Sequence, residues 1–160
     1  MMYDFYIFLH LVGVVIFIGG FAASLFAKGR AESTRDPKIL SHTYALINFN
    51  DKWFTPLSIV FILSGGFAAS FAAGLPIVET GWILWSLVLY GISGIIFVLR
   101  ALPLQHRLER MTSTSPSPEA FDWASYDHLS RAWTRWASAA FVLVIGAFVL
   151  MVFKPVLPSP

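Results

Sequence analysis

The sequence predicts an all-α integral membrane protein, a bundle of four transmembrane helices, and three observations carry that prediction. Hydrophobic residues make up 57% of the 160-residue chain and charged residues 12%. Four stretches carry no charge: residues 5–27, 53–78, 80–99 and 136–153. Each matches the roughly 20 apolar residues that a helix needs to cross a hydrocarbon core of about 30 Å. Ten of the eleven Lys and Arg residues fall into the two segments joining spans one to two and three to four, and only Lys154 lies elsewhere. That asymmetry predicts both termini outside and the two basic segments in the cytoplasm. With this length and four spans, residues 1–160 read as one membrane domain.

Span one opens with Tyr3, Phe5, Tyr6 and Phe8, an aromatic group suited to the outer interface, and ends at Lys28, read as a basic anchor. Its N-terminal flank carries Asp4 and no Lys or Arg, so it is expected to be a retained span and not a cleaved leader. Asp36 followed by Pro37 predicts a helix start, because an acidic cap satisfies free amides and proline suits the first helical position. A cytoplasmic helical extension is thus expected over about 37–52, leading into span two, with a bend near Pro56.

Residues Gly74 to Glu79 predict a short external turn that makes spans two and three antiparallel neighbours. Span three is expected to end near Arg100, with Pro103 beyond it and a flexible Ser, Thr and Pro linker over Thr112 to Pro118. Ser117 and Pro118 repeat the cap pattern of Asp36 and Pro37. A second extension is therefore expected over about 118–135, through Phe121, Trp123, Tyr126 and Trp133 into span four at Trp136. Gly65, Gly66, Ala68, Ala69 and Ser70, then Gly91, Ser93 and Gly94, then Ala137 to Ala140, read as close helix-contact faces, with space for a flat cofactor as the other reading.

Chemistry centres on His10, an ionisable side chain on the order of 8 Å below the outer edge of the hydrocarbon. Gly13, Phe17 and Gly20 follow it at spacings of three, four and three, so His10 heads a stripe with two gaps. A histidine above glycine gaps suits ligation of haem iron with the macrocycle close to backbone. The competing reading is a neutral imidazole hydrogen-bonded to another helix. Met151 in span four is the one other conventional iron ligand expected on the outer half. His42, His106 and His128 belong to the cytoplasmic side, which argues against a bis-histidine pair. There is no cysteine, which excludes disulfides, thiolate metal sites, iron–sulfur clusters and covalent c-type haem. His10 is the sole metal-ligand candidate, and only toward haem iron.

A second polar cluster is expected at the cytoplasmic boundary, from Asn50, Asp51, Arg100, Gln105, His106 and Arg135, with Asp51 pairing to Arg100 or Arg135. Its readings are a network fixing helix ends, or an anion, headgroup or proton-entry site. The net charge of +2 is accounted for by topology, so the partner is the lipid bilayer and nucleic acid is excluded.

Several segments in order resemble the bacterial domain-of-unknown-function family 2269 of predicted integral membrane proteins. They are Phe8 to Gly13, Asn50 to Pro56, Leu104 to Arg107 with Met111, and Arg135-Trp136 with Leu150 to Pro155. The resemblance spans almost the whole chain and implies a four-span protein of the bacterial cytoplasmic (inner) membrane. More distantly, His10, Gly13, Phe17 and Gly20 resemble the first span of the copper-resistance D and HemJ-type protoporphyrinogen oxidase group, in which the histidine is linked to b-type haem. The chain departs from the oxidase pattern at Phe26 and Arg30, so this resemblance implies haem ligation at His10 and not the oxidase activity.

Two functions from different classes follow. One is a b-haem-binding or redox-associated membrane protein acting through His10. The other is a non-catalytic accessory or scaffold subunit, in a homo-oligomer or with a membrane-protein partner, which the small-residue faces and aromatic extensions favour. A small-solute or metal transporter is third, weakened by the absence of charge pairs within the spans.

Overall fold

The computed structural model describes residues 1–114 and 119–159. It is all-helical, with no strand among the described residues. The helices are α1 (Met2–Thr34), α2 (Pro37–Ala72), α3 (Gly81–Ile96), α4 (Leu102–Ser113) and α5 (Trp123–Phe153), with a π-helical turn, Phe97–Ala101, joining α3 to α4. Four helical runs are long and apolar enough to cross a membrane: α1, α2, the continuous α3–α4 rod and α5. The protein is therefore a multi-pass integral membrane protein.

Each run exceeds the membrane it crosses. The 33 residues of α1 extend about 50 Å at the usual rise, against roughly 30 Å of hydrocarbon. The surplus of all four runs gathers at one end, the basic end, where the two loops rich in Lys and Arg lie. The buried core is concentrated there, around Ala31, Leu40, Tyr44, Ile47, Ala101, Leu108, Phe121, Tyr126, Trp133 and Ala137. Towards the other end, large apolar side chains such as Phe8, Val15, Val60, Phe71, Ile95 and Val142 are exposed, as lipid-facing residues are.

The start of α2 follows its sequence closely. Pro37 is the first helical residue and the Asp36 carboxylate accepts from the Lys38 amide at 2.8 Å. The helix continues through Pro56 and ends at Ala72, short of residue 78, because Gly74 turns the chain at φ 65° and Pro76 follows.

Two expectations require correction at the basic end. The third run does not stop near Arg100, and Pro103 does not end it. Proline has no N–H for the Leu99 carbonyl and crowds it, and the widened turn, with the Leu102 amide bonded to the Phe97 carbonyl, carries the helix past that defect. Thr112 and Ser113 are thus helical. The second correction concerns α5, which begins at Trp123 and not near 118. Glu119 and Ala120 form a turn, and the cap is Asp122, which accepts from the Ser125 amide at 3.1 Å. Ser117 and Pro118, read as a cap, lie outside the described residues. Asp122 is held below the ordinary carboxylate value by its bonds to Ser125. Beside it, the Arg35 guanidinium pairs with Asp127 at 2.8 Å, which raises it above its ordinary value, and lies 4.9 Å from the Trp123 ring.

Candidate functional site

The helices associate as two hairpins. α1 packs along α2, and α3 along α5, whereas α3 does not approach the backbone of α1 or α2. Glycine explains the closeness of the first pair. A Cβ on Gly13 would lie 2.8 Å from the Ile62 nitrogen and the Ser58 oxygen, and one on Gly65 would lie 2.6 Å from the His10 nitrogen. In the second pair, Ser93 donates to the Ala140 carbonyl at 2.8 Å and Ser86 to the Ala147 carbonyl at 3.2 Å.

Between the hairpins, away from the basic end, lies a cleft of about 290 Å³. Its floor is aromatic, where Phe17 meets Tyr90 edge-on at 5.5 Å; one turn on along α1, outside the lining, Phe21 stacks on Phe141 at 5.0 Å and touches Phe97 at 5.8 Å. From Tyr3 at the rim to Phe17 at the floor is roughly 20 Å along α1. Apart from Lys154 at the rim, the lining side chains are uncharged and mostly aliphatic or aromatic.

His10 stands in the α1 wall of this cleft. Its Nδ1 lies 2.8 Å from the Ile62 carbonyl, which can only accept, so Nδ1 carries the hydrogen and donates it. Gly66 leaves room for this contact, since a Cβ there would come within 3.0 Å of Nδ1. The tautomer that results has its lone pair on Nε2, which has no hydrogen-bond partner among the described residues. A ring nitrogen tied to a backbone carbonyl, with the other left basic, is the arrangement of a metal-ligating histidine. The Tyr90 hydroxyl, on the facing hairpin, is buried without a partner among the described residues and lines the same cleft.

The sequence-predicted set separates. His10, Phe17 and Met151 share the cleft wall. Gly13 and Gly20 do not: Gly13 is filled by the α2 backbone and Gly20 faces the Asn50 side chain, 2.9 Å from where its Cβ would be. The glycine stripe is a helix seam, and the glycines that seat His10 come from α2: Gly65 against its backbone and Gly66 against its imidazole. No group of three His, Cys, Asp or Glu side chains gathers among the described residues.

At the basic end, Asp51 pairs with neither Arg100 nor Arg135. Gln105, fully buried, donates from Nε2 to Asp51 Oδ2 and to Asn48 Oδ1, both at 2.7 Å, and accepts from Trp133 Nε1 at 3.1 Å. Arg100 instead lies 5.4 Å from the Trp136 ring, and His106 lies 3.7 Å from Glu109 one turn on. Arg135 is exposed and has no ion pair among the described residues.

Sequence reasoning missed a third polar group. Lys28, read as an interfacial anchor, is 2% exposed. Its ammonium donates to Glu32 and Ser130 at 2.7 Å and to Thr134 at 3.1 Å, and lies 5.0 Å from the Trp133 ring. Glu32 also accepts from Ser130 and, at 3.0 Å, from Tyr126, whose hydroxyl meets that of Tyr44 at 3.2 Å. The available signal was spacing: Lys28 with Glu32, and Ser130 with Thr134, each four apart on one helix face.

Comparison with curated proteins and with solved structures gives no match for this chain. The family described as predicted integral membrane protein, DUF2269, matches residues 5–155, and the chain belongs to it.

Proposed function

We propose that the protein binds a b-type haem in the cleft between its hairpins, with His10 Nε2 as an iron ligand. The observation that carries this reading is the Nδ1 hydrogen bond to Ile62, which fixes tautomer and ring and leaves a basic nitrogen toward a largely apolar cavity. Met151, on α5, lines the same cleft and supplies a thioether as the second candidate ligand. The lining is mostly apolar, and the Tyr90 hydroxyl, without a partner among the described residues, offers a hydrogen bond to a bound group. Haem iron so held supplies one-electron chemistry, with its potential set by axial ligand and burial. Gly13 and Gly20 take no part. The proposed setting is the bacterial cytoplasmic membrane, with the basic end in the cytoplasm and both termini outside.

The test is the visible spectrum of detergent-purified protein, oxidised and then dithionite-reduced, beside His10→Ala. A Soret band and a reduced α-band are expected in the parent and not in the variant. A featureless parent after expression with ample haem sinks the reading.

A second reading, an accessory subunit in a membrane complex, is favoured by α3. Gly91 and Gly94 are exposed, with nothing within 4 Å of where a Cβ would stand, and so offer bare backbone to a further helix. Crosslinking in native membranes tests it, and recovery of the monomer alone counts against it.

A further inference from the structure

Lys154 is the only charged side chain among the described residues that line the cleft. It caps α5 in the left-handed region, at φ 46°, with its amide bonded to the Leu150 carbonyl at 2.9 Å. The chain then turns back across the start of α3. Gly81 has no room for a Cβ against Leu157, and Trp85 Nε1 donates to the Pro158 carbonyl at 3.0 Å. This return path keeps Lys154 at the rim, where its ammonium lies 5.3 Å from the Trp82 ring of the neighbouring helix. It makes no ion pair among the described residues.

The cleft thus offers one lysine at its mouth, a long apolar wall, and two polar atoms inside without a partner among the described residues, His10 Nε2 and the Tyr90 hydroxyl. A uniformly polar ligand would lose its water along that wall without replacement, and a cationic one would be repelled at the rim. An apolar body with an acidic end satisfies both regions. The geometry points to a carboxylate-bearing amphiphile as the ligand, its acid group paired with Lys154 and its body lying along Ile7, Val14, Leu63 and Phe148 towards Tyr90. The inference rests on the cleft being a ligand site, as above, but not on iron. The propionates of haem and the acid end of a long-chain fatty acid share this chemistry.

Detergent-purified protein, parent and Lys154→Gln, is titrated with haem, with haem dimethyl ester, and with a fluorescent polyene fatty acid. Lys154→Arg serves as the charge-retaining control. Loss of a charge-assisted pair of about 1.4 kcal/mol predicts roughly tenfold weaker binding of the free acid by Lys154→Gln, near-parent binding by Lys154→Arg, and no change for the ester. Lys154 is exposed, so the variant is expected to keep the parent helical content and elution position. If haem leaves the spectrum unchanged while the fatty acid binds with dependence on Lys154, iron ligation fails and the carboxylate site stands. If neither acid binds the parent, or if Lys154→Gln binds acids as tightly as the parent does, the proposal is overturned.

Discussion

The Lys28 ammonium of α1 lies 2.7 Å from the Ser130 hydroxyl of α5, joining two helices that otherwise scarcely meet. The hairpins are tied together at the basic end through this contact and its extension to Glu32, Thr134, Tyr126 and Tyr44. At the other end they stand apart around the cleft. Closure at one end and separation at the other follow from where the polar side chains are placed.

Lys28→Ala should therefore be among the most damaging changes in the chain. It leaves Glu32, itself only 30% exposed, without its cation, and removes donors to Ser130 and Thr134. Breaking a buried pair from one side costs about 3–5 kcal/mol, whereas replacing both partners by apolar groups is far milder. The double change Lys28→Met with Glu32→Leu should accordingly recover much of the loss in thermal unfolding in detergent. A single variant as stable as the parent would show that the ammonium is dispensable.

Gln105→Leu conserves volume but strands the Trp133 indole N–H and withdraws the donor shared by Asp51 and Asn48. Unsatisfied buried groups of this kind cost about 2–3 kcal/mol in all. Gln105→Glu is expected to be worse, because an acceptor then faces the Asp51 carboxylate. Melting temperatures in the order parent, Leu, Glu are the predicted readout, and a Glu variant matching the parent would contradict the network.

What could be read from sequence was local. Charge-free runs mark the spans because a bilayer penalises each charge wherever the chain goes, and Asp36 with Pro37 marks a helix start because the cap is made within two residues. Helix-contact faces were legible at Gly65, Ser93 and Ala140, but other readings that depended on a second helix failed. Lys28 is hidden by Ser130 and Thr134, more than a hundred residues away, so its burial left no mark around position 28. Gly13 and Gly20 have the spacing of an open stripe, but the face they present is decided by α2. Span three is expected to end near Arg100, and only the widened turn before Pro103 shows that the helix continues. At the candidate site, His10 was visible as an isolated ionisable group and Gly66 only as part of a helix-contact face, while Ile62 and Tyr90 carry no signature apart from it.

The start of α5 should respond to acid through Asp122. Its folded-state value is depressed by its bonds to Ser125, so the cap contributes stability above the ordinary carboxylate value and loses it as pH falls through the lower, folded value. The Ser125 amide proton shift should titrate with a midpoint below the ordinary range. Asp122→Asn keeps an acceptor without the charge and should flatten that titration. A midpoint at or above the ordinary value would exclude the capping bond in solution.

Two glycines of α1 provide a matched test of the hairpin seam. At Gly13 a methyl group meets the backbone of Ile62 and Ser58 at 2.8 Å, and backbone cannot yield as a side chain can. Gly13→Ala should cost about 1–3 kcal/mol by forcing α1 away from α2. The same displacement should lengthen the bond from His10 to the Ile62 carbonyl, so any Soret band should weaken together with stability. At Gly19 nothing lies within 4 Å of the added carbon. There alanine should be neutral, or stabilising by up to about 1 kcal/mol through helix propensity alone. The contrast isolates contact from propensity because helix, depth and chemical change are nearly shared. Equal effects at both positions would mean that α1 does not lie against α2 along the face that seats His10.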